Sequence, residues 1–160
     1  MNDIIANILK QGMRGHNTHV TPRKALDGLV ADHAGVVPGE NIHSCWDQLY
    51  HIVFWQDLVL ESAQGKDVDW SATHGKDWPQ PESILDNSKW NDLVNRFLEG
   101  LDKVDKILDT IDLMTTMPSW NDAPIFKAML VLAQHNSYHL GQIIIARKAL
   151  KMWPPTKESP

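Results

Sequence analysis

His135 and His139 stand four residues apart inside a long run with apolar residues at 3–4 spacing. On a helix, that separation puts two imidazoles on one face, one turn above the other. A helix can present two ring nitrogens to a single metal ion in this way. His51 lies within another helical pattern, with Phe54 and Trp55 on the next turn. Three imidazoles from two helices can form a facial set that leaves a position open for water or substrate. Neutral imidazole suits zinc, nickel, iron or copper and suits magnesium or calcium poorly. The pair is not a zinc-protease signature, which needs His-Glu-x-x-His, because Asn136 and Ser137 stand where the acid would be.

Several neighbours are candidates for shaping such a site. Gln142 lies about one turn beyond His139 and could hydrogen-bond a ligand or substrate. Tyr138 is expected to pack with its hydroxyl at the edge, and Gly141 could let a neighbouring helix approach. Asp47 is one turn before His51 and has two rival roles, a carboxylate that orients His51 or a helix cap, of which the cap is favoured. His16 and His19 form a looser pair for which solvation is a commoner role than ligation, so they are left out of the site. Cys45 begins a helix, where the dipole would lower a thiol pKa. Its competing role is that of a small buried hydrophobe.

The elements that must position these residues can be read from periodicity. Ile4, Ile5, Ile8, Leu9 and Met13 give a first amphipathic helix from about Asp3 to Arg14, closed by Gly15. Thr21-Pro22 reads as an N-cap with proline at the first helical position, opening a short helix to about Leu29 or Val30. Gly35 to Asn41 is turn-rich. Ser44-x-x-Asp47 is an acidic relative of the capping box and opens a helix to about Gln64, stopped at Gly65. From Gly65 to about Ser88 the pattern dissolves into a loop containing Trp70, Trp78, Pro79 and Pro81, with one short helical turn expected around Ser83–Asp86. A loop of this length is more often functional than idle. Its tryptophans are expected to tuck back onto the bundle.

Ser88 is expected to cap a helix that runs from Trp90 to about Asp109–Ile111. After a connection over Asp112–Asn121, Asn121 or Asp122 can cap the last helix, with Pro124 in its first turn. That helix would reach about Lys151, roughly 28 residues or about 42 Å. Pro154-Pro155 stops it. No strand pattern of comparable strength occurs. Four long helices and one short one predict an all-α four-helix bundle in a single domain over residues 1–160, with a long tryptophan-rich loop.

Composition agrees with this expectation. The 160 residues are 42% hydrophobic and 22% charged, the proportions of a globular protein. A net charge of −5 argues against nucleic acid, and no apolar run has the length of a membrane span. One cysteine precludes an internal disulfide and fits a reducing cytosol. With no basic, then apolar, leader at the N-terminus, a cytoplasmic location is expected.

The pattern His135-x-x-Tyr138-His139-x-Gly141-Gln142, followed by Arg147 and Trp153-Pro154-Pro155, resembles the DinB-like superfamily, and within it the YfiT-type metal-dependent enzymes. The stretches Gly15-His16-Asn17-Thr18-His19-Val20 and Ser44 to Trp55 fit as well, so the resemblance spans almost the whole chain. It implies a four-helix bundle in which His51, His135 and His139 hold a divalent metal, and a homodimer. It also implies a transferase or isomerase that uses a low-molecular-weight thiol such as bacillithiol or mycothiol. The Gly65–Ser88 loop departs from the family in length and composition.

The physics of thiol transfer is coherent with such a site. An ion held by three neutral imidazoles keeps its full charge and can acidify a thiol as it does water. The thiolate would come from the co-substrate, and the tryptophan-rich loop would cover a partly apolar electrophile. The leading expectation is therefore a thiol S-transferase acting on a small electrophile. Its rivals are a metal-dependent hydrolase using the same three ligands and a non-catalytic, stress-related metal-binding bundle.

Overall fold

The computed structural model describes residues 2–16, 18–80 and 85–155. Among the described residues six α-helices carry the fold: α1 (Asn2–Arg14), α2 (Pro22–Leu26), α3 (Ala31–Ala34), α4 (Cys45–Ala63), α5 (Asn87–Thr110) and α6 (Ile125–Ala149). The four long ones close into a ring: α1 packs on α6, α6 on α4, α4 on α5, and α5 back on α1. The apolar stripes anticipated from periodicity meet inside that ring. Met13, Leu49, Ile52, Phe97, Leu101, Met129 and Leu132 are among the fully buried side chains. No described helix is long and apolar enough to cross a membrane.

The helix that carries His51 begins as its sequence predicts. Ser44 Oγ accepts from Asp47 N at 3.1 Å and Asp47 Oδ2 accepts from Ser44 N at 3.0 Å, a reciprocal capping box. The helix ends at Ala63, followed by Gly65 with φ +85°. This φ is in the region glycine occupies without penalty.

Four boundaries differ from expectation, each for a local reason. α2 stops at Leu26 rather than Leu29 or Val30. The buried Arg147 guanidinium donates to the carbonyls of Ala25 (2.6 Å) and Asp27 (2.7 Å), and Gly28 turns the chain with φ +70°. A four-residue helix, α3, then forms where none was expected. Its first N–H, on Ala31, donates across the fold to Asn87 Oδ1 at 3.1 Å. Asp86 rather than Ser88 caps α5, with Oδ1 accepting from Lys89 N at 2.9 Å, so the helix starts one turn before Trp90.

The last helix starts at Ile125, without Asn121 or Asp122 as its cap. Those two residues have φ 52° and 55° and form the turn of a short antiparallel ladder, β1 (Thr116–Met117) with β2 (Ala123–Pro124). The ladder was not expected from the sequence. It brings the preceding connection under the helix, where Thr115 and Leu113 carbonyls accept from Ile125 N and Phe126 N at 2.9 Å each. Backbone carbonyls thus serve the first-turn donors that a capping side chain would otherwise satisfy. α6 closes at Ala149, two residues short of Lys151, whose φ is +60°.

The long loop carries its regular turn at Trp70–Thr73, capped by Asp69. Of the turn expected around Ser83–Asp86, residues 83 and 84 lie outside the described ones, as does Asn17, and residues 85 and 86 are not helical. Trp70 does return to the bundle, its indole N–H donating to the Ser119 carbonyl. Ser119 is itself fixed to Ser62 of α4 by a hydroxyl–hydroxyl contact of 2.7 Å.

Candidate metal centre

α4 and α6 pack directly against each other and bring their histidines to one point. One potential ligand atom from each of His51, His135 and His139 lies within 4.8 Å of the others. The ring centroids are 4.5 Å apart for His51–His139 and for His135–His139, and 5.1 Å for His51–His135. Metal–nitrogen bonds are about 2.0–2.1 Å, so this gap is on the scale that one ion spans.

The second nitrogens explain how the rings are aimed. His51 Nδ1 donates to the Asp77 carbonyl at 2.9 Å, with the Asp77 carboxylate 3.5 Å away. His139 Nδ1 donates to Gln48 Oε1 at 2.7 Å. With Nδ1 carrying the proton, Nε2 of each neutral ring keeps its lone pair free for a cation. Gln48 and Asp77 therefore do for these rings what outer partners of metal-bound histidines do: they fix tautomer and orientation. His135 differs. Its Nδ1 is buried, and although the Asn136 amide lies close enough to raise the ring's pKa somewhat, neither His135 Nδ1 nor Asn136 Oδ1 completes a hydrogen bond. An unsatisfied nitrogen in this place is the kind of orphan that a bound cation relieves.

Protonation also favours cation binding. Burial is the main cause that lowers all three pKa values from 6.5, and the neighbouring histidines add to it. His139 is pushed down to about 3, by burial and then by His135, His51 and His43. For His51, burial outweighs the opposing pull of Asp77. Rings that stay neutral at pH 7 can act as ligands without first losing a proton. On donor type, spacing, tautomer and charge, the three residues fit a divalent transition metal.

Indoles surround the group. Trp78, from the long loop, stacks on His51 at 4.2 Å and 19°, and on its other face stacks with His43 at 3.9 Å and 14°. Trp55 stands edge-on to His51 at 6.3 Å. Beyond it Trp55, Trp70 and Trp120 line a cavity that reaches His135.

Asp47 and Cys45 take the roles favoured for them, helix cap and buried thiol, whereas Tyr138 departs from expectation. Asp47 is used up in the capping box, and Asp77 orients His51 in its place. Gln142 makes no hydrogen bond to the described histidines, whereas Gln48 does. Tyr138 does not pack into the bundle: it is 65% exposed and meets His139 only ring edge to face, at 5.0 Å and 90°. Gly141 admits no neighbouring helix, since a Cβ there would meet nothing within 4 Å. The close approach is at Gly100 instead, where a Cβ would fall 1.8 Å from Gln56 Nε2. Cys45 is fully buried, and burial pushes its thiol up to about 11 despite the helix start. His19 bonds Val20 O and Ser137 Oγ and stands apart from the three-histidine group.

Gln48 carried no signal in the sequence, since its place one turn before His51 does not say that it bonds His139 of the other helix. Asp77 and Trp78 carried none, since a loop without periodicity gives no hint of where it lands. A family model for the DinB superfamily matches residues 20–143, a span that contains all three histidines. Neither a curated protein nor a solved structure gives a match.

Proposed function

The chain belongs to the DinB superfamily, and on that premise we propose that it is a metal-dependent transferase joining a low-molecular-weight thiol to a small electrophile. The observation that carries this reading is the convergence of three neutral imidazoles, two of them held by Asp77 and Gln48. Zinc, nickel and iron are the ions that suit such a donor set. When bound, the ion would supply a positive charge that acidifies a thiol or a water at its open position.

The chain's own residues aim two of the three rings, keep all three unprotonated through burial and shield one side of the group with Trp78. The nucleophile comes from outside, because Cys45 is buried and resists ionisation. In the transfer, the co-substrate sulfur bonds to the electrophilic carbon and the thiol proton passes to solvent. The carbon–leaving-group bond breaks, and the leaving group departs with its electron pair. Among the described residues no carboxylate joins the three-histidine group, and the Asp77 carboxylate lies on the Nδ1 side of His51. That favours a thiol, which has a pKa near 8.5, over water, which asks more of a general base. We also expect a homodimer. α1 and α6 pack on each other and keep Ile4, Ile8, Leu130 and Ile145 exposed, which supplies apolar surface for a second copy.

The test is to incubate metal-loaded protein with 1-chloro-2,4-dinitrobenzene and a panel of cysteine, glutathione, bacillithiol and mycothiol, following conjugates by mass spectrometry. A conjugate that disappears with chelator and in His139→Ala is the expected result. Chloride release with dinitrophenol as product would instead indicate hydrolysis, and no turnover with any thiol would contradict the transferase reading.

A further inference from the structure

The cavity beside His135 is separate from the space Trp78 covers, and its walls say what it can hold. Its volume is about 160 Å³, and Trp55, Val59, Trp70, Trp120, Leu132 and His135 line it. Trp55 and Trp70 are stacked within 10° at 6.5 Å, and Trp70 and Trp120 meet at 5.6 Å and 36°. The Trp70 N–H is already committed to the Ser119 carbonyl, so the indole offers its face and not a donor. All three tryptophans are only half-buried, although large aromatic side chains gain most from full burial. His135 is the one titratable side chain among the six, and it belongs to the three-histidine group at that end of the cavity. The cavity is half open to solvent, and its size matches a single benzene-sized ring.

We propose that this cavity holds the ring-sized apolar part of the electrophile, with its reactive carbon at the His135 end. The substrate class is then an aryl or arylmethyl compound whose leaving group lies beside the three-histidine group. This assignment rests on the transferase reading for its chemistry but not for binding. The indole faces and edges flank a flat ring, and Leu132 and Val59 add apolar wall. Small polar electrophiles would react without filling the cavity and would lose that part of the binding.

Two measurements test it. The first is titration of chelator-treated protein with toluene, which cannot react, followed by tryptophan fluorescence. Saturable one-to-one binding is expected, weakened about tenfold in Trp120→Ala, a loss of the size that one aromatic contact accounts for. Val131 sits at the rim and is 40% exposed, so Val131→Phe should fold normally and block toluene by filling the mouth. The second is the ratio of kcat/KM for benzyl chloride over chloroacetamide in the metal-loaded protein. That ratio is expected to fall about tenfold in both variants. Toluene that fails to bind wild type, or binds Val131→Phe equally well, overturns the assignment even if thiol transfer is found. Toluene binding without any thiol transfer would leave the cavity standing and overturn the transferase reading.

Discussion

Gln48 and Asp77 show how a metal group depends on residues that never touch the ion. Each accepts the Nδ1 proton of one histidine and so leaves the opposite nitrogen bare. Gln48→Leu would leave a buried N–H on His139 without an acceptor and free the ring to take the other tautomer. Partners of this kind are worth about 10–100-fold in metal affinity, and competition with a chromophoric chelator should show a loss of that size. An unchanged affinity would mean that packing alone aims the ring. At this scale the sequence was partly readable. The three histidines carry a spacing that sends them to one side of two helices. The residues that orient them do not, because a glutamine in a helix and a loop aspartate look like ordinary surface residues until their neighbours are known.

Helix starts were legible at Thr21 and Ser44, where a side chain does the capping, were placed two residues late at Asp86, and were illegible where the backbone does the capping. Ser44 and Asp47 announce α4, and replacing Ser44 by Ala should cost about 1 kcal/mol. For a chain of this size that is a fall in melting temperature of about 2–4 °C by calorimetry. The start of α6 is held by the Leu113 and Thr115 carbonyls, which no residue type advertises. α3, at four residues, is too short to show a period at all. Two glycines separate the same way. Gly100→Ala would drive a methyl into Gln56, whose side chain is fully buried and bonded to the Phe97 carbonyl and to Asn136. Overpacking of this kind costs about 1–3 kcal/mol. Gly141→Ala meets open space in a helix interior and should stabilise by up to about 1 kcal/mol. Urea denaturation of the two variants should move in opposite directions.

Across the whole molecule, the closed ring of four helices buries imidazoles that metal-free protein must keep neutral. Their folded-state pKa values lie below 6.5, that of His139 near 3. As pH falls below about 6.5, the unfolded chain takes up protons that the folded chain refuses, so unfolding becomes easier. The contribution is intact above that pH and is lost progressively toward pH 3. The loss is at most about 1.4 kcal/mol per pH unit for each histidine, and less where ring edges remain solvated. The urea midpoint of metal-free protein should therefore drop between pH 7.5 and pH 5, and more shallowly in His139→Gln. The bundle was the most legible feature of all, because the apolar residues of its four long helices recur at 3–4 spacing over many turns. The path of the long loop was the least legible, because the contacts of Trp70, Asp77 and Trp78 are tertiary and leave no local pattern.

The central claim is that His51, His135 and His139 bind one divalent metal ion together. Chelator-treated protein can be incubated with zinc or nickel, freed of loose ion by gel filtration and assayed by elemental analysis beside His51→Ala and His139→Ala. One equivalent of metal in wild type and a substoichiometric amount in each variant is the predicted result. Wild type that retains no metal, or variants that retain as much as wild type, would contradict the account.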